Sequence, residues 1–210
     1  MAVICPTVTA TGQHQYREQM EWIEPFAKRV HIDLMDGRFA PTKSPDIDQI
    51  WWSPKVEADI HLMYQRPLEQ LSALIKARPH LVIVHAEAEG DLAHFADSLH
   101  KVGIRAGLAL LQDTSVDSVK DIIMKFDHVL VFSGHLGYHG GEADLGLLYK
   151  AKQIREVLPH TEIGWDGGIK DQNVRALIDG GVNVLDVGGY IQGSGDPQAA
   201  YQRMLEKFSS

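Results

Sequence analysis

The chain has one cysteine, Cys5, so no disulfide can form within it, and a reducing compartment is the expected setting. Basic side chains are in deficit: 20 Lys and Arg against 28 Asp and Glu give a formal charge of −8. A broad basic face that tracks nucleic-acid phosphates is therefore not expected. No run approaches the roughly 18 apolar residues of a membrane span, so no membrane partner is expected either. The opening MAVICPTVTATGQHQ has neither the basic start nor the apolar stretch of a secretory signal, which points to the cytoplasm. Low-complexity tracts and linkers are missing too. What remains is a globular balance, 44% hydrophobic and 23% charged over 210 residues, enough to bury a sizeable core without staples.

Short apolar runs alternate with segments of helical period throughout. The runs lie at 2–8, 29–35, 56–63, 80–86, 105–111, 128–134, 161–167 and 182–189. Between them apolar residues recur every three or four positions, as in Tyr16, Met20, Ile23 and Ala27, or Leu92, Phe95, Ala96 and Leu99, with a last stripe of Tyr201, Met204, Leu205 and Phe208. Only the second helical segment, around Asp46 to Trp52, is short and poorly periodic. Asp91, Thr114, Asp171 and Asp196 stand where N-caps are wanted, and Gly103 and Gly180 where helices should stop. Eight alternating units in one chain favour a single-domain (β/α)8 barrel over residues 1–210; an open α/β sheet is the alternative. In a barrel, the active site belongs at the C-terminal ends of the strands.

Side chains that could do chemistry collect at those ends. In RVHIDLM, His31 and Asp33 are two apart and leave one face of a strand. The next strand brings His61 to a similar height, and IGWDGG puts Asp166 at a later strand tip. Each residue has an ordinary reading: a hydrogen-bonded pair, a satisfied core histidine, a turn aspartate. Four together favour a divalent cation, because clustered imidazoles and carboxylates inside a barrel rim need compensation. Mixed nitrogen and oxygen donors suit zinc, iron(II), manganese or cobalt. Glycines follow the last strands in WDGG and DVGG, and HLGYHGGEAD follows the sixth; such loops can hold a phosphate through backbone amides. His85 and Glu87 end the fourth strand, with a supporting role as plausible as substrate contact. His94, His100, His128 and His160 read as surface or helix-flanking residues.

Read together, CPT, HIDLMDGRFAP, DIHLM, VHAEA, GLAL, LGYHGGE, IGWDGGI and VGGYIQGSGDP resemble the ribulose-phosphate 3-epimerase family over essentially the whole chain. The resemblance implies metal-dependent sugar-phosphate epimerisation on a (β/α)8 barrel. It implies one divalent ion held by His31, Asp33, His61 and Asp166, with Asp33 and Asp166 also serving as acid and base. Met35 and Met63 match methionines that crowd the reacting centre, and Thr7 replaces a substrate-contacting serine. Gly137, Gly140, Gly141, Gly167, Gly168, Gly188 and Gly189 fall in the phosphate-holding loops. A homo-oligomer is likewise expected by resemblance. Departures gather on the rim: TVTATG after the first strand, Pro41-Thr42, Gln112-Asp113, and Phe132, Leu136 and an apparent insertion at His139.

The expected activity is interconversion of D-ribulose 5-phosphate and D-xylulose 5-phosphate. The alternatives are a hexulose phosphate such as allulose 6-phosphate as substrate, or a barrel that binds metal and sugar phosphate without turnover.

Overall fold

The computed structural model describes residues 2–138 and 140–207. His139 and Phe208 thus lie outside the described residues. Eight parallel strands close on themselves in chain order: β1 (Val3–Thr9), β2 (Arg29–Met35), β3 (Glu57–Met63), β4 (Leu81–His85), β5 (Arg105–Leu110), β6 (His128–Phe132), β7 (Glu162–Asp166) and β8 (Val184–Val187). Around them run α1 (Gln13–Ile23), α2 (Leu71–Ala77), α3 (Leu92–His100), α4 (Lys120–Ile123), α5 (Leu148–Val157), α6 (Val174–Asp179), α7 (Gly189–Gln192) and α8 (Pro197–Glu206). This is the (β/α)8 barrel.

The strands form because alternate residues serve two different cores. Ile32, Leu34, Ile60, Leu62, Val82 and Val84 join Tyr16, Met20, Phe95 and Leu99 in the layer between sheet and helices. Their neighbours Leu81, Ile83, Ala109 and Leu130 form a separate buried cluster. Register then places side chains at matched heights. Asp33 pairs with His61, Met35 with Met63, Phe132 with Asp166, and Asp166 with Asp186.

Several local expectations are met. Asp91 accepts from the His94 N–H at 2.9 Å and Asp196 from the Ala199 N–H at 2.9 Å, each capping its helix. Gly103 ends α3 in the left-handed region. The segment after β2 holds only a 3-10 turn, Ile47–Gln49.

Others are corrected. Thr114 is no N-cap: its hydroxyl donates to Glu87, and the next turn begins at Asp117, where Ser115 Oγ accepts from the Ser118 N–H. Asp171 is not one either. Asn173 precedes α6 and its side chain accepts from the Lys170 N–H at 2.9 Å. Gly180 does stop α6, as its C-cap, and the next residue, Gly181, takes the left-handed conformation. His94, His100 and His160 are exposed as expected, whereas His128 is fully buried. Its Nδ1 lies 2.9 Å from Glu162 Oε2, at the opposite end of the barrel from the expected active site.

Candidate active site

Period-two alternation brings His31 and Asp33 of β2, His61 of β3 and Asp166 of β7 to one place. One donor atom from each lies within 4.8 Å of all the others. Asp33 Oδ1 is the hub, 3.2 Å from His31 Nε2 and 3.0 Å from His61 Nδ1. Asp166 Oδ2 stands off at 4.0 and 3.8 Å from the same two nitrogens. The second Asp33 oxygen accepts from the Thr9 hydroxyl at 2.6 Å, which fixes the carboxylate plane and leaves Oδ1 facing the cluster.

The donor set fits a divalent cation. Both ring nitrogens of His31 are buried without a hydrogen bond, a costly state that coordination would relieve. Two imidazole nitrogens and two carboxylate oxygens at one centre suit zinc and its neighbours. The charges are unequal. Burial pushes the Asp33 carboxyl up, but the close approach of the His31 and His61 imidazoles outweighs it and holds it well below the usual carboxylate range. Burial and the Asp33 charge push Asp166 the other way, well above that range. Burial likewise draws His61 down to about 4.

Asp33 and Asp166 form the floor of a cleft that Thr7, Met63, Gly137, Gly140, Gly141, Gly167, Gly168, Gly188 and Gly189 also line. The Thr7 hydroxyl is buried and unbonded. Met35 does not line the cleft. It packs with Ala40 and Met63 behind the surface, and its sulfur meets the Thr42 hydroxyl. Gly167 and Gly168 both have positive φ. A Cβ on the first would strike the backbone of Ser133 and Gly134, and on the second that of Glu142 and Ala143. Only glycine lets the loops after β6 and β7 meet this closely. No lysine or arginine lines the cleft among the described residues.

Three contributors escaped the sequence reading. Thr9 shares a strand face with Thr7, and that alternation was a usable signal. Asp186 is buried beside His31, with Oδ1 3.4 Å from His31 Nδ1; its place two residues before Gly188 drew attention to the glycines instead. Phe132, noted only as a departure, packs against His61 and His85 with ring centroids 5.9 and 5.5 Å away.

Fold and donor cluster together define a barrel enzyme whose centre combines histidine and carboxylate at the C-terminal rim. Residues 3–192 match the family model described as the ribulose-phosphate 3 epimerase family, and the chain belongs to that family of isomerases. It is 31% identical over 176 residues to ribulose-phosphate 3-epimerase of Chlamydia muridarum, covering 80% of this chain and 77% of that one. It is 28% identical to the Mycobacterium bovis protein of the same name, covering 94% and 89%. A solved structure of 3-hexulose-6-phosphate synthase shares the fold at a TM-score of 0.74, covering 97% of this chain and 98% of that one at 17% identity.

Proposed function

We propose that this chain is a metal-dependent ketose-phosphate 3-epimerase, one domain throughout, that interconverts D-ribulose 5-phosphate and D-xylulose 5-phosphate. The observation that carries the reading is the pair of carboxylates, Asp33 from β2 and Asp166 from β7, meeting in one donor cluster at the floor of one glycine-lined cleft. Inverting a carbon beside a ketone requires removal of a proton from one face and return of one to the other. A pair that carries one proton between its two members suits both halves. In one direction the Asp33 carboxylate takes the carbon-bound proton and the Asp166 carboxyl gives one up; in the other their roles exchange.

His31, Asp33, His61 and Asp166 would hold the ion. When bound, a divalent cation supplies positive charge where negative charge develops on the substrate oxygens. Thr9 keeps the Asp33 carboxylate oriented, and the buried Thr7 hydroxyl is available to a substrate oxygen. The glycines after β6, β7 and β8 would receive the phosphate on backbone amides, which need no cationic side chain.

One observation favours a longer substrate. Beside the cleft runs an open groove lined by Gln112, Phe132, His135, Leu136 and Tyr138, with room for the extra carbon of a hexulose phosphate. Deuterium uptake from heavy water at carbon 3 distinguishes the readings. Ribulose 5-phosphate should exchange faster than allulose 6-phosphate, and the reverse order would make the hexulose phosphate the substrate. Asp166→Asn should abolish epimerisation, and with it exchange of the epimer whose carbon 3 proton faces that side, while the folding transition persists. A zinc-loaded wild-type protein that exchanges no ketose phosphate would leave only a binding barrel.

A further inference from the structure

Each histidine of the cluster can turn one ring nitrogen to the centre, and the other must find a partner. For His61 the inward atom is Nδ1, and Nε2 points away to His85 Nε2 at 2.9 Å. Two ring nitrogens at that distance share one hydrogen, so one donates and the other accepts. The remaining His85 nitrogen decides which. His85 Nδ1 is buried, makes no hydrogen bond of good geometry, and lies 3.5 Å from Glu87 Oε2. An ionised carboxylate only accepts, so the His85 proton belongs on Nδ1 and its Nε2 is the acceptor. His61 must then donate from Nε2, which leaves the Nδ1 lone pair facing Asp33 and Asp166.

Glu87 is itself held. Its Oε1 accepts from the Leu111 N–H at 3.0 Å and from the Thr114 hydroxyl. Lys150 pins that loop from below, donating to the carbonyls of Leu111, Gln112 and Thr114 at 2.6 to 2.7 Å. His31 is arranged in the opposite sense. Its Nε2 faces Asp33, and its Nδ1 lies 3.4 Å from Asp186 Oδ1, whose carboxylate is buried with no hydrogen bond of good geometry.

We propose that Glu87, acting through His85, and Asp186 are positioning residues that hold the two histidines in opposite tautomers, so that His61 ligates through Nδ1 and His31 through Nε2. The inference rests on the metal reading above and adds which atoms bind and what orients them.

Two measurements on the zinc-loaded full chain test it. Long-range proton–nitrogen NMR of 15N-histidine protein should show His61 protonated at Nε2 and His31 at Nδ1; either pattern reversed overturns the proposal. Zinc affinity, read by competition with a chromogenic chelator, supplies the second. Glu87→Gln keeps size but offers His85 an amide donor, which would drive the proton back onto the wrong His61 nitrogen. Affinity should fall by about tenfold or more. Asp186→Val should weaken binding similarly, whereas Asp186→Asn keeps an acceptor oxygen and should restore it. Unchanged affinity in Glu87→Gln and Asp186→Val overturns the proposal, and a misfolded variant leaves the wild-type NMR pattern to decide. Wild-type protein that takes up no zinc sinks the metal reading and this inference with it; zinc bound through the other nitrogens sinks the inference alone.

Discussion

Asp33 is asked to be a base of fixed orientation, and one hydroxyl supplies much of that constraint. The Thr9 contact at 2.6 Å is a charge-assisted bond to the oxygen turned away from the cluster. Thr9→Val conserves shape and removes it, a loss of roughly 1.5–3 kcal/mol for a bond to a charged group. We expect the melting temperature to fall by several degrees and kcat/KM for ribulose 5-phosphate, measured well below it, to fall by at least about tenfold; a variant as active as wild type would show that the carboxylate is held by other means. The four clustered residues were legible beforehand because strand period two puts His31 and Asp33 on one face and glycines mark where β7 ends. His128 was not legible. Its run, HVLVF, reads like any other strand start, and the space for its ring is made by residues far off in sequence. A Cβ on Gly164 would strike the imidazole and Leu130 Cδ1, and one on Gly107 would meet the same ring. Glycines inside the apolar strand runs at 105–111 and 161–167 are here the other half of a buried side chain.

The loops after β6 and β7 are elements whose shape depends on each other. Gly168 has φ +68, and any Cβ there would enter the backbone at 142–143. Gly168→Ala should therefore push the two loops apart, at a stability cost of about 1–3 kcal/mol typical of overpacking. If these loops hold the phosphate, KM for a phosphorylated ketose should rise more than kcat falls; a loss confined to kcat would remove them from phosphate binding. Helix boundaries were less legible than strands for a related reason. A cap is chosen by what else a side chain can reach, and Thr114 reaches Glu87 across two βα loops instead of serving its own turn. Asp91 and Asp196 have no such competing partner, and their positions alone identify them as caps. The stretch between β5 and β6 carries Val116, Val119, Ile122 and Phe126 at helical spacing, yet folds as a 3-10 turn and the four-residue α4. Apolar period reports which face is buried, not how long the hydrogen bonding persists.

The barrel closes around charge at the end away from the cleft. Glu162 of β7 takes two bonds of 2.9 Å from Arg29 of β2, one of 3.2 Å from Arg105 of β5, and lies 2.9 Å from His128 of β6, while Arg29 also donates to Asp59 of β3 at 2.6 Å. Four strands are thus tied through the Glu162 carboxylate and a fifth, β3, through Arg29 and Asp59, both of which are buried. Burial alone would raise the Glu162 carboxyl, but the Arg29 and His128 bonds outweigh it and hold it far below the ordinary glutamate value. A carboxyl depressed in the folded state binds its proton more readily once unfolded. Its stabilisation is therefore complete above the unfolded value of about 4.3 and is lost as pH falls below it. Glu162→Gln leaves Arg29 with half its counter-charge, so we expect a loss of about 3 kcal/mol near neutrality, as for breaking a buried pair. The difference between wild type and variant in urea unfolding should then shrink as pH drops from about 4 toward 2, because acid removes in the wild type what the substitution has already removed. Parallel curves over that interval would mean that the hub contributes shape but no net ionic stability. Residual donor clustering at the far rim provides an internal comparison. Zinc affinity at neutral pH should survive Glu162→Gln, since no residue of the hub contributes a donor to the His31, Asp33, His61 and Asp166 centre. A loss of zinc binding would show instead that closure at one end of the barrel sets the geometry at the other.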